Sequence, residues 1–98
     1  MPGRWTVDER CLKGYHDARN NPAKDAILEL IWFCYVCQQH RHKPFWYWYY
    51  LGKAAGYAKQ LVDEKGRDEA RRSVQEYLET ACAPEFAREV RCYVAALC

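Results

Sequence analysis

The chain predicts an all-α fold, a compact single domain over residues 1–98 built as a bundle of about five helices. Three observations lead there. Turn material is scarce: Ser73 is the only serine, and there are five glycines and four prolines in 98 residues, which disfavours hairpins and long loops. Three internal prolines, Pro22, Pro44 and Pro84, each stand where a helix could begin, because the missing proline N–H would be unpaired in a first helical turn anyway. Between these marks, apolar residues recur at helical spacing.

The first helix is expected at roughly 7–19, where Thr6-x-x-Glu9 reads as a capping box and Val7, Cys11, Tyr15 and Ala18 form the apolar stripe. A second, roughly 22–42, is apolar nearly all round between Ala26 and Cys37, the pattern of a central helix. The third, 44–65, opens at Pro44 and closes at Gly66, a residue suited to the left-handed position after a helix. The fourth, 67–82, carries Ala70, Val74, Tyr77, Leu78 and Ala81; the fifth, 84–97, carries Phe86, Val90, Tyr93 and Leu97. Charge opposite the stripes places helices one, four and five at the outside. No internal repeat or low-complexity segment divides the chain.

Composition narrows the class. Half the residues are apolar and 29% are charged, which fits a globular protein and excludes a disordered tail. Fifteen positive against thirteen negative residues give a net charge of +2, too balanced for general attraction to nucleic acid. MPGRWTVDER has no apolar stretch behind a basic start and does not read as a secretory signal. The longest apolar run, Ala26 to Cys37, is interrupted by Glu29 and falls short of the ~20 residues of a spanning helix. A cytoplasmic location without a membrane span is the expectation. There, Cys11, Cys34, Cys37, Cys82, Cys92 and Cys98 should stay reduced, most of them as small buried apolar residues. Cys98, the last residue, is expected to be accessible.

HRHKPFWYWYYLGKAAG, residues 40–56, sets six aromatic residues in succession from Phe45 to Tyr50. At roughly 150–250 Å² each, these rings represent about 900–1,500 Å². A helix turns only part of that toward its own core. The remainder, about 450–750 Å², approaches the ~800 Å² that each partner gives to an ordinary protein interface. No Asp or Glu occurs from Leu30 to Val62, while Arg41, Lys43, Lys53 and Lys59 do, with His40 and His42. Such a surface attracts acidic partners. The expected partner-binding residues are Arg41, Lys43, Phe45, Trp46, Trp48, Tyr49, Tyr50 and Lys53. Gly52 and Gly56, one turn apart beside Ala55, indicate close backbone approach, either of helix two within the chain or of a second chain.

Candidate chemistry is thin. Cys34-x-x-Cys37-x-x-His40-x-His42 offers zinc-ligand types, but on a regular helix His40 lies about 120° and 9 Å from Cys34, too far for one ion at ~2.0–2.3 Å bonds. Cys37 and His40 lack a third orienting group. His16 and Asp17 diverge by about 100° on a helix. The carboxylates Asp63, Glu64, Asp68 and Glu69 lie among Lys65, Arg67, Arg71 and Arg72 and read as a solvated, ion-paired junction. No phosphate loop or dinucleotide fingerprint is present. No catalytic residue, metal or cofactor is expected.

The functional expectation is a small non-enzymatic intracellular interaction module. It would act as a regulator or inhibitor that masks a surface of another protein, as an anti-activator does, through the aromatic and basic face of helix three. A homodimer formed through the same rings is also expected; it competes with this reading unless the partner displaces or joins the dimer. The alternative function is single-stranded nucleic-acid binding, with rings that stack on bases and cations that follow the backbone. An amphipathic membrane-surface role would require a cation-rich polar face, which the aromatic turn lacks.

Overall fold

The structure, a computed structural model, describes the backbone of residues 7–98 and the side chains of residues 9–98. Thr6 of the expected capping box lies outside the described residues. The described chain forms α1 (Val7–Asn20), α2 (Ala26–Gln39), α3 (Pro44–Lys65), α4 (Arg67–Thr80) and α5 (Pro84–Leu97), with no strand among the described residues. It is an all-α bundle, as the sequence indicates.

Pro44 and Pro84 sit in the first turns of α3 and α5, and both helices keep the expected boundaries. Pro22 does not open α2. That helix starts at Ala26, where the Asp25 side chain accepts the Leu28 N–H at 3.3 Å, a standard N-cap arrangement. Residues 22–25 stay non-helical because the buried Gln60 of α3 clamps them. Its Oε1 accepts from the Ala23 N–H at 3.0 Å and its Nε2 donates to the Ala23 carbonyl at 2.8 Å. A backbone held from both sides by another element cannot give those groups to a helix.

α2 also ends early, at Gln39, and the chain turns through His40 with the Lys43 N–H on the His40 carbonyl at 2.9 Å. Lys43 is extended, with φ −123° and ψ 87°, as the ring of a following proline requires. The same constraint acts at Ala83, extended before Pro84, and α4 closes at Thr80 instead of residue 82. Gly66 has positive φ (86°), but with ψ 157° it occupies the mirror-extended region open almost only to glycine and not the left-handed helical one.

The apolar pattern names α2 as the central helix; α3 holds that position instead. It packs against all four other helices, whereas α2 meets α3, α4 and α5 and leaves Leu28 and Trp32 49% and 51% exposed. An all-round apolar sequence on a helix with open space beside it leaves some of its face in water. The core gathers Leu30, Ile31 and Cys34 of α2, Ala58 and Leu61 of α3, and Val74, Leu78, Val90 and Val94 of α4 and α5. α1 packs on α3 alone among the described helices.

The glycines explain that last contact. A Cβ on Gly52 would collide with the Cys11 carbonyl oxygen, one on Gly14 with the Tyr49 carbonyl oxygen, and one on Gly56 with the Ala18 Cβ. Backbone therefore touches backbone where α1 crosses α3. The close approach seen in the sequence is real, but its partner is the first helix and not the second.

Candidate docking surface

Successive helical residues diverge by about 100°, so the rings from Phe45 to Tyr50 spread around α3. Toward α1, Phe45 lies under the Arg10 guanidinium, 4.7 Å from its centre, and the Tyr49 hydroxyl donates to Asp17 at 2.6 Å. Toward α2, Trp46 stacks on Tyr50 (5.8 Å, 24°), Tyr50 on Phe33 (6.0 Å, 23°) and Phe33 on Tyr57 (5.7 Å, 16°). This four-ring ladder fills the α2–α3 seam. His40 packs against Tyr50 at 5.2 Å, and the Lys53 ammonium sits 4.9 Å from the Phe33 ring centre, within cation–π range. Toward α5, Tyr47 meets Tyr93 at 6.3 Å, and Trp48 packs edge-on against Tyr47 at 5.1 Å.

No ring of the run is fully buried, and only Phe45 and Trp46 are exposed, at 41% and 46%. The molecule is a slab, 46 × 28 × 19 Å between Cα extremes. Rings that point in directions about 100° apart would need neighbours on every side of α3 to be covered, and the surrounding helices leave its first turn open.

Electrostatics follow the same division. Desolvation, reinforced by the Asp17 contact, pushes the Tyr49 hydroxyl up to about 12. The Tyr49 hydrogen bond, then that of Lys13, holds the Asp17 carboxyl below its usual range. Burial, reinforced by a hydrogen bond with Tyr47, keeps the Tyr93 hydroxyl protonated well above its ordinary range.

The basic residues, contiguous in sequence, are separated in space. Lys59 pairs with Asp63 at 2.7 Å, and Arg19 joins that carboxylate at 3.1 Å. Lys53 is half-buried over Phe33. Arg41, His42 and Lys43 are exposed in the turn that leads into α3, immediately before Phe45 and Trp46. Of the eight residues expected to bind a partner, Arg41, Lys43, Phe45 and Trp46 are thus exposed around the start of α3. Trp48, Tyr49, Tyr50 and Lys53 lie half-buried farther along α3.

Arg10 joins that end, and sequence reasoning missed it. Its guanidinium covers Phe45 while its Nε is buried without a hydrogen-bond partner. Nothing local marks a residue 35 positions before Phe45; only the α1–α3 crossing brings it there.

The cysteine–histidine stretch is distributed differently. Cys34 and Cys37 are buried, and desolvation pushes the Cys37 thiol up to about 12 and the Cys34 thiol higher still. Cys37 Sγ donates to the Tyr47 carbonyl (3.4 Å), His40 Nδ1 donates to the Val36 carbonyl (2.8 Å), and His42 points into solvent from the turn. Neutral, hydrogen-bonded thiols of this kind are inert toward electrophiles. Cys98, expected to be accessible, is buried at 7% exposure, and Cys92 is the exposed thiol.

Fold and surface together define a small helical bundle with one aromatic and basic end. Compared with known proteins, the chain matches no family model, no curated protein and no solved structure. No described helix is long and apolar enough to cross a membrane.

Proposed function

We propose that the protein is a non-enzymatic interaction module that docks its Phe45–Trp46 end onto an acidic surface of another protein and masks that surface. The observation that carries this reading is the exposure of Phe45 and Trp46 in the first turn of α3 directly after the exposed Arg41 and Lys43, with the Arg10 guanidinium over Phe45. Phe45 and Trp46 together expose about 130–220 Å² if each ring is worth 150–250 Å². That is the scale of a hot spot at the centre of an interface, where Trp and Arg are enriched and a polar rim supplies most of the area.

Two alternatives match less well. A homodimer through this end would be isologous and would set Arg41 and Lys43 against their own copies. Single-stranded nucleic acid needs free ring faces for stacking, yet Tyr50 covers one face of Trp46 and Arg10 covers one face of Phe45.

The test is a comparison of pull-downs with wild type, Phe45→Ala/Trp46→Ala and Arg41→Glu/Lys43→Glu as baits. A partner with an acidic surface should be retained by wild type, lost by both variants and weakened by salt. Recovery of the same proteins by all three baits would place the docking surface elsewhere. Salt-sensitive oligonucleotide binding lost in Trp46→Ala would transfer the surface to nucleic acid.

A further inference from the structure

A second surface lies toward the opposite end of α2, about 10–16 Å along the helix from the Gln39 terminus at the ~1.5 Å rise per residue. There Leu28, Ile31 and Trp32 form one wall of a cleft, with Tyr77 and Phe86 opposite and Ala81 and Cys82 at the α4–α5 turn. Its cause is local. The turn sequence Ala81-Cys82-Ala83 has only small side chains, so nothing from α4 or α5 grows across to cover Leu28 and Trp32. The ring pairs Trp32–Tyr35 (5.8 Å) and Tyr35–Phe86 (4.9 Å) brace the wall.

We propose that this cleft binds an uncharged, largely apolar small molecule of two or three rings. Its volume of about 380 Å³ falls within the ~300–1,000 Å³ of small-molecule sites. It is equivalent to about a dozen waters at ~30 Å³ each. No charged side chain lines it, and the lining side chains offer polar atoms only at the Trp32 indole N–H, the Tyr77 hydroxyl and the Cys82 thiol. Burial pushes that thiol up, so it stays neutral. A charged ligand group would lose its hydration there with nothing in return.

Area separates this occupant from a second copy of the chain. Leu28 and Trp32 are 49% and 51% exposed. Credited with the ~250 Å² of a large ring apiece, they offer about 250 Å². A stable homodimer needs ~800 Å² or more per partner, and no charged side chain lines the cleft to continue the contact as a rim, as Arg41 and Lys43 would beside Phe45 and Trp46. A small ligand needs only the cleft.

The probe is N-phenyl-1-naphthylamine, uncharged, dark in water and fluorescent in apolar surroundings, titrated into wild type, Ala81→Phe, Leu28→Asp and Trp46→Ala. Ala81 and Leu28 are exposed, so both substitutions are compatible with the fold, which circular dichroism checks. The expected result is one saturable site, weakened fivefold or more by Ala81→Phe and by Leu28→Asp and unchanged in Trp46→Ala. Non-saturable binding, or a loss below fivefold in both cleft variants, would overturn the proposal. So would a dimer that Leu28→Asp converts to monomer, since the cleft would then belong to a second copy. Because the docking end is probed separately by Trp46→Ala, failure here leaves the masking function standing, and the reverse.

Discussion

Gly52 and Gly66 are both required, for unrelated reasons. At Gly52 the helix geometry is ordinary and the obstacle is the Cys11 carbonyl, backbone that cannot rotate away. At Gly66 nothing stands within 4 Å, and the obstacle is the positive φ itself. Gly52→Ala should therefore destabilise by about 3 kcal/mol or more, as overpacking against fixed atoms does, despite the ~1 kcal/mol gain in helix propensity. Gly66→Ala should cost about 1–2 kcal/mol from backbone strain. Urea unfolding measures both, and a Gly52→Ala protein as stable as wild type would contradict the α1–α3 crossing.

The Tyr49–Asp17 contact predicts a pH effect with a definite sign. Asp17 has a depressed folded pKa, so its contribution is present above the ordinary value of 3.8 and is lost as pH falls through the folded value. Tyr49, raised from 10.0 to about 12, contributes fully below 10 and fades as pH rises toward 12. Tyr49→Phe should therefore cost about 1 kcal/mol at neutral pH, with the difference from wild type shrinking in acid. The Asp17 carboxyl should titrate closer to its ordinary value, read by NMR. Thiol labelling gives a further residue-level check: Cys92 should react first, with Cys34, Cys37 and Cys98 protected until the protein unfolds.

At the scale of elements, α1 and α2 are held by different means. α1 rests on α3 alone among the described helices, through glycine contacts, the Tyr49–Asp17 hydrogen bond and the exposed Arg19–Asp63 pair. An element attached on one side opens before the globule does. Native-state hydrogen exchange should find α1 amides exchanging through a sub-global opening at lower free energy than those of α2 and α3. The α1–α2 connection is fixed by Gln60, whose amide satisfies both backbone groups of Ala23. Gln60→Leu leaves those groups without partners in a part-buried place, which should cost about 2–4 kcal/mol and speed exchange at the Ala23 amide. Pro22 looked like a helix start because the local signal was sound; a glutamine 37 residues away overrules it.

For the molecule as a whole, the charge pattern separates one end from the rest. Arg41, His42 and Lys43 face solvent together, while Lys59 is neutralised by Asp63. Like charges at a shared end oppose self-association through it, so light scattering at micromolar concentration should return the monomer mass of 11.6 kDa. A dimer sensitive to Phe45→Ala or Trp46→Ala would restore the homodimer reading.

Helix number, and the full extent of α3 and α5, could be read from local chemistry: proline at first turns, stripes at helical spacing, a glycine stop. The candidate surface was legible in part. The ring run and the acid-free stretch point to α3, and Arg41, Lys43, Phe45 and Trp46 are exposed around its start. Arg10 and the Trp32 cleft were not legible. Each depends on which helix lies beside which, and helical periodicity fixes only which faces are apolar.

The sequence by itself determined that this chain is helical and where α3 and α5 begin and end, because capping, proline geometry and periodicity act within a few residues. Tertiary structure decided that α3, and not α2, is the hub. It decided that Gly52 meets α1, and which two of six rings are the most exposed. Those outcomes come from backbone approach and from which helix lies beside which, neither of which is a local property.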